Sequence, residues 1–103
     1  MSTPKLSEMI WQVVALIPEG NIATYGQIVR LCGYPGHARY VGSTLKQLPE
    51  DSILPWHRVV NAKGEVAFPP GSDAYERQRQ LLESEGIRFH GTKISLSIYR
   101  WQS

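Results

Sequence analysis

The chain has 103 residues, of which 42% are apolar and 19% charged, with a formal net charge of +2. That length fits one domain, taken as residues 1–103, and that balance excludes a disordered chain. No run approaches the roughly 18–20 apolar residues of a membrane span, and the lone Cys32 excludes an internal disulfide and a multi-cysteine zinc site.

Residues 7–17 read as a helix capped by Ser7. Ile10, Val13, Val14 and Ile17 form its apolar stripe, and Pro18 and Gly20 end it. A second helix starts at Thr24, where Thr24-Tyr25-Gly26-Gln27 fits a capping box. Ile28, Leu31 and Cys32 are expected on its apolar side, with Gly33 as the stop. Cys32, placed among these apolar neighbours, reads as an inert small hydrophobe. Tyr34-Pro35-Gly36 is a turn, and a third helix is expected from about His37 to Gln47. Its apolar face is Ala38, Val41, Leu45 and Leu48, while Arg39, Ser43 and Lys46 share a polar face. Two short helices joined by a tight turn, the second with a basic face, form a helix-turn-helix pattern. Residues 20–49 carry Arg30, Arg39 and Lys46 and neither Asp nor Glu, which suits a phosphate-facing surface.

Pro49-Glu50-Asp51-Ser52 is a polar connection. Arg58-Val59-Val60 and Glu65-Val66-Ala67-Phe68 are expected to pair as a hairpin across Asn61-Ala62-Lys63-Gly64. Pro69-Pro70-Gly71-Ser72 is a loop, and Asp73-Ala74-Tyr75-Glu76 reads as a second capping box opening a helix that ends at Gly86. The alternation of Ile94, Leu96 and Ile98 with Ser95 and Ser97 predicts a late half-buried strand beside the hairpin. The fold class is therefore mainly α with a small β-hairpin, in a winged helix-turn-helix-like arrangement. The N-terminus has no signal-peptide form, so the expected location is the cytoplasm, or the nucleus if the source is a eukaryote.

Three blocks of sequence carry a resemblance. Thr24-Tyr25-Gly26-Gln27, Ala38-Arg39-Tyr40-Val41-Gly42 and Pro55-Trp56-His57-Arg58-Val59 occur in this order. They resemble the Thr-Tyr-Gly-Gln, Ala-Arg-x-Val-Gly and Pro-Cys-His-Arg-Val blocks of the O6-alkylguanine-DNA alkyltransferases, and the spacing from Arg39 to Trp56 matches as well. The resemblance runs from about residue 7 to residue 86 and implies the fold of the alkyltransferase C-terminal domain. It does not reach the large N-terminal domain of many alkyltransferases, and residues 87–103 form an extension without a mapped counterpart.

The departure from the family pattern is Trp56, which stands at the position of the reactive cysteine. An indole has no lone pair free to attack carbon at neutral pH, so the resemblance narrows to the alkyltransferase-like proteins, which bind alkylated guanine without repairing it. By that resemblance, Arg39 is a finger that enters the base stack and fills the gap left by a flipped nucleotide. Tyr25, Trp56 and Val59 belong to the flipping and lesion pocket, with Trp56 giving apolar and stacking contact. The Phe68-Pro69-Pro70-Gly71 loop falls where the family closes its pocket, in different letters. His57 and Glu85 match the relay that activates the cysteine, here kept as a structural pair.

No metal or organic cofactor is expected. The implied partners are double-stranded DNA containing O6-alkylguanine and nucleotide excision repair proteins, with no membrane, and the chain is expected to act as a monomer. Such proteins can also inhibit alkyltransferases by shielding the lesion. A second reading is a sequence-specific helix-turn-helix regulator using Arg39, Ser43 and Lys46 in the major groove. A third is hydrolytic release of the base, with His57 or Glu85 activating water.

Overall fold

The computed structural model describes residues 5–49 and 51–103, so Glu50 of the polar connection lies outside the described residues. Five helices carry the fold: α1 (Leu6–Val14), α2 (Tyr25–Leu31), α3 (Ala38–Lys46), α4 (Asp73–Ser84) and the single turn α5 (Leu96–Tyr99). Four two-residue strands complete it: β1 (Ala23–Thr24), β2 (Val59–Val60), β3 (Phe89–His90) and β4 (Lys93–Ile94). Among the described residues no helix is long and apolar enough to cross a membrane.

Helices α1, α2 and α3 enclose a first apolar cluster built from Ile10, Val14, Ile17, Ala23, Ile28, Val29, Val41 and Val59. A second cluster, under α4, gathers Ile22, Val60, Val66, Tyr75, Leu82, Ile87 and Ile94. The boundary between them is the parallel pair of β1 and β2, in the register Ala23 to Val59 and Thr24 to Val60. Successive strand residues point to opposite faces. Ala23 and Val59 therefore go to the first cluster, and Ile22 and Val60 to the second. Burial on both faces is why Val59-Val60 is continuously apolar rather than alternating.

The α2–α3 pair is the expected helix-turn-helix. The Thr24 hydroxyl accepts from the Gln27 amide at 3.1 Å and the Gln27 side chain accepts from the Thr24 amide at 3.4 Å, closing both halves of the capping box. Gly33, at φ +85°, ends α2 in the left-handed conformation that side chains disfavour. On α3, Val41 and Thr44 are buried with Ala38 and Leu45 packed beside them, while Arg39, Ser43 and Lys46 are exposed.

Several expectations are corrected. α1 begins at Leu6 with no side-chain cap, so Ser7 lies inside its first turn, and Ile17 is buried beyond the helix end. On α2 it is Val29 rather than Leu31 that joins Ile28 in the core; Leu31 is 45% exposed. α4 is capped by Ser72, whose hydroxyl accepts from the Tyr75 amide at 3.2 Å, not by Asp73. The segment after β2 makes a tight turn, in which Asn61 Oδ1 accepts from the Lys63 and Glu65 amides, but no strand ladder with residues 65–68 follows. The hairpin is instead β3 with β4, antiparallel around Gly91-Thr92.

The alternating tail is a strand only at its start. Ile94 is buried, but Ile98 is 70% exposed, because the next residues pack at helical spacing, with Leu96 and Tyr99 against the second cluster. The start of this segment does meet the residue 61–65 turn, through Ile94 N–H to Gly64 O at 2.9 Å. The chain then ends as a strap across the base of the helix-turn-helix. Trp101 N–H donates to Ile22 O at 2.7 Å, and the Gln27 side chain donates to Trp101 O at 2.8 Å. Trp101 packs against the first cluster.

Candidate functional site

The Pro55–Val59 stretch forms a short 3-10 turn, Trp56–Arg58, leading directly into β2. It is held by main-chain bonds from Trp56 N–H to Leu54 O at 2.8 Å and from Arg58 N–H to Pro55 O at 3.0 Å. On α4, the Gln78 amide donates to both His57 O and Val59 O at 3.0 Å. Gln78 is 3% exposed, so these bonds satisfy its amide where water does not reach.

At the end of α4, Glu85 meets three groups. His57 Nε2 lies 2.9 Å from Glu85 Oε2, Arg58 Nε donates to Oε1 at 2.9 Å, and a second Arg58 nitrogen donates to Oε2 at 2.7 Å. The third Arg58 nitrogen donates to Ile17 O at 2.7 Å, so one guanidinium ties the segment after α1 to the end of α4. Burial pushes the Glu85 carboxyl up, but hydrogen bonds and charge from Arg58 and His57 outweigh it and bring its pKa down to about 2. A carboxylate so held is a weak base. The pair read from the sequence is thus present, but Arg58, read there only as part of a motif and a strand, is the larger partner of Glu85.

The other sequence-predicted residues fall into two groups. Trp56 lies edge-on to His57, with ring centroids 6.0 Å apart, and borders two hollows. One, of about 440 Å³, runs along residues 52–58 with Ala15, Arg77 and Leu81. The other, of about 450 Å³, is lined by Lys46, Leu48, Pro49, Trp56, Phe68, Asp73, Ala74 and Arg77. Tyr25, the first residue of α2, lines a smaller hollow of about 170 Å³ with Gly42, Leu45, Lys46, Ala67, Phe68 and Pro69. The last two hollows share Lys46 and Phe68. Burial raises the Tyr25 hydroxyl pKa. Arg39 is the second residue of α3 and is exposed.

Val59 is placed apart from the residues above. Its side chain is 1% exposed, inside the first cluster, and lines none of these hollows. Sequence reading also missed Arg77, whose guanidinium carbon lies 5.9 Å from the centre of the Trp56 ring. Its position one helical turn after Asp73, across a loop from the Trp56 block, carries no motif of its own. Cys32 is the residue capping the C-terminus of α2, partly buried, and burial raises its thiol pKa.

Residues 5–87 match the family model for the 6-O-methylguanine DNA methyltransferase DNA-binding domain. The chain is 50% identical over 95 residues to an Escherichia coli protein named DNA base-flipping protein, covering 91% of this chain and 72% of that one. It is 37% identical over 98 residues to Alkyltransferase-like protein 1 of Schizosaccharomyces pombe, covering 90% of this chain and 91% of that one. The fold superposes with a TM-score of 0.90 at 34% identity on the S. pombe protein solved with damaged DNA containing O6-carboxymethylguanine, over 100% of both chains. It superposes with a TM-score of 0.70 on the Mycobacterium tuberculosis methyltransferase solved with DNA, where it spans 51% of that longer chain at 34% identity. The chain therefore belongs to the family of the 6-O-methylguanine DNA methyltransferase DNA-binding domain, as one of its alkyltransferase-like members.

Proposed function

We propose that this chain recognises guanine alkylated at O6 in double-stranded DNA and holds it without removing the alkyl group. The observation that carries the reading is the end-to-end superposition on a relative solved with DNA containing O6-carboxymethylguanine. Arg39, exposed on α3, enters the stack and fills the space of the flipped nucleotide. Tyr25, at the start of α2, steers the nucleotide into the contiguous hollows that share Lys46 and Phe68, where Trp56 forms the far wall. Damaged guanine pairs poorly, so extruding it costs less than extruding a normal base, and this supplies part of the selectivity.

Trp56 occupies the acceptor position in place of a thiol and offers stacking instead of nucleophilic attack. His57 and Glu85 are kept as structure. The Glu85 carboxylate, brought to a pKa of about 2, is too weak a base to activate water near neutral pH, which speaks against Glu85 as the base in a hydrolytic release. The protein acts as a monomer and without a cofactor. The held lesion is passed to nucleotide excision repair proteins, and while held it is shielded from alkyltransferases.

The test is a set of incubations with duplexes carrying O6-methylguanine or guanine. The expected outcome is lesion-selective binding, unchanged protein mass and intact DNA. Arg39→Ala is expected to weaken lesion binding by roughly 10- to 100-fold while leaving the fold intact. Equal affinity for damaged and undamaged duplexes would refute the reading, and so would a protein that gains one methyl group in mass.

A further inference from the structure

Arg77 has no part in the flipping scheme, yet it stands at the wall of the site. It lies on α4 with its guanidinium carbon 5.9 Å from the centre of the Trp56 ring, and it borders both hollows that flank that ring. The residue is exposed, and among the described residues its side chain makes no hydrogen bond and no ion pair. Lys46 reaches the same hollow from α3. Among the described residues, Asp73, one turn before Arg77, is the only carboxylate bordering that hollow. Leu48 and Phe68 supply apolar wall.

This arrangement has two chemical parts. The Trp56 ring takes apolar or aromatic surface of any O6 substituent. The guanidinium beside it has free donors in a planar fork, which matches a carboxylate better than any neutral group. A methyl group uses only the first part. A substituent ending in a carboxylate uses both, at the edge of a hollow where water competes less than in bulk.

We infer that Arg77 is a specificity-determining residue, favouring guanines whose O6 substituent ends in a carboxylate. The inference rests on the base-holding reading above, which places the substituent of the flipped guanine toward Trp56. Arg77 then sets how strongly anionic adducts are preferred over neutral ones of similar size. Arg39 sets whether any flipped base is held at all.

The experiment measures equilibrium affinity by fluorescence anisotropy at one fixed salt concentration. Three duplexes carry O6-methylguanine, O6-carboxymethylguanine or its neutral carboxamide analogue. The proteins are the unaltered chain, Arg77→Gln, Arg77→Lys and Arg39→Ala. Arg77→Gln is expected to weaken binding of the carboxymethyl duplex by roughly 10- to 150-fold, the range of a hydrogen bond to a charged group, and to leave the other two duplexes within about twofold. Arg77→Lys, which keeps the charge without the fork, is expected to recover part of the loss on the carboxymethyl duplex alone. Equal weakening on all three duplexes would make Arg77 an ordinary phosphate contact and overturn the inference. No weakening on any of them would overturn it too. In both cases a strong effect of Arg39→Ala on all three duplexes would leave the base-holding reading standing. An Arg39→Ala variant that binds all three unchanged would remove that reading, and this inference with it.

Discussion

Glu85 offers the sharpest test of the claim that the kept His57–Glu85 pair is structure rather than chemistry. Its carboxyl is brought from an ordinary 4.5 down to about 2. Because the folded state holds the carboxylate below its unfolded pKa, folding is favoured by the ionised form. This contribution is complete above about pH 4.5, shrinks as the pH falls, and is gone below about pH 2. Its size follows from the difference between those values, about 3 kcal/mol. Glu85 is 9% exposed, so solvent screening removes little of it.

Glu85→Gln keeps the shape and removes the titration. It also leaves Arg58, 15% exposed, without its anionic partner. The assay is urea unfolding of both proteins at a series of pH values from 2 to 7. The difference between their stabilities cancels the carboxylates they share. That difference is expected to be about 3 kcal/mol near neutral pH and to fall toward its smallest value at about pH 2. A difference that stays flat across this range would refute the reasoning, because it would mean that charge on Glu85 contributes nothing to the fold.

The remaining expectations concern other parts of the molecule. Gly64→Ala is expected to cost about 3 kcal/mol in chemical denaturation, since Gly64 sits at φ +79° and a Cβ there would lie 2.5 Å from Ile94 O. Trp101→Ala is expected to cost about 2 kcal/mol, because it removes a partly buried indole from the first cluster, and the loss should appear as a lowered midpoint in thermal unfolding. Cys32→Ala should leave lesion affinity unchanged, since the thiol packs at the end of α2 and lines none of the described hollows around Trp56 and Tyr25; a loss of lesion binding would show the thiol to be part of the site. Affinity for any duplex should fall linearly on a log–log plot as salt rises, because phosphate contacts by exposed basic side chains such as Arg30 release counterions.

What the sequence made legible was local. The Thr24 capping box, the Gly33 and Gly86 stops and the apolar positions Ile28, Val41 and Val14 depend on neighbours three or four residues away, and all are found in the fold. Long-range pairing was not legible. A strand of two residues, such as β1 or β2, has no period to detect, so nothing local tells that Val59 pairs with Ala23 and turns inward. The same gap hid Arg58 and Gln78, whose partners lie from 19 to 41 positions away. Ile94, Leu96 and Ile98 fit a strand pattern, but Leu96 and Tyr99 also fit one helical turn, and packing against the second cluster chose the helix. His57 with Glu85 was legible only through family resemblance, since the sequence alone gives no reason for residues 28 positions apart to meet.

The Arg58 clamp gives the His57–Glu85 pair a structural role that needs no nucleophile at position 56. Arg58 binds Glu85 through two nitrogens and Ile17 O through the third, and His57 takes a position on the same carboxylate. These bonds join the segment after α1, the 3-10 turn and the end of α4, and none of them uses the side chain at position 56. Removing the carboxylate would leave the largely buried Arg58 guanidinium without its anionic partner and loosen the turn that carries Trp56. The network is therefore required wherever position 56 must be held still, whether that position carries a reactive atom or a flat ring for stacking. Binding and chemistry can separate in this fold because the chemistry would occupy one side chain, whereas the holding is distributed over three elements.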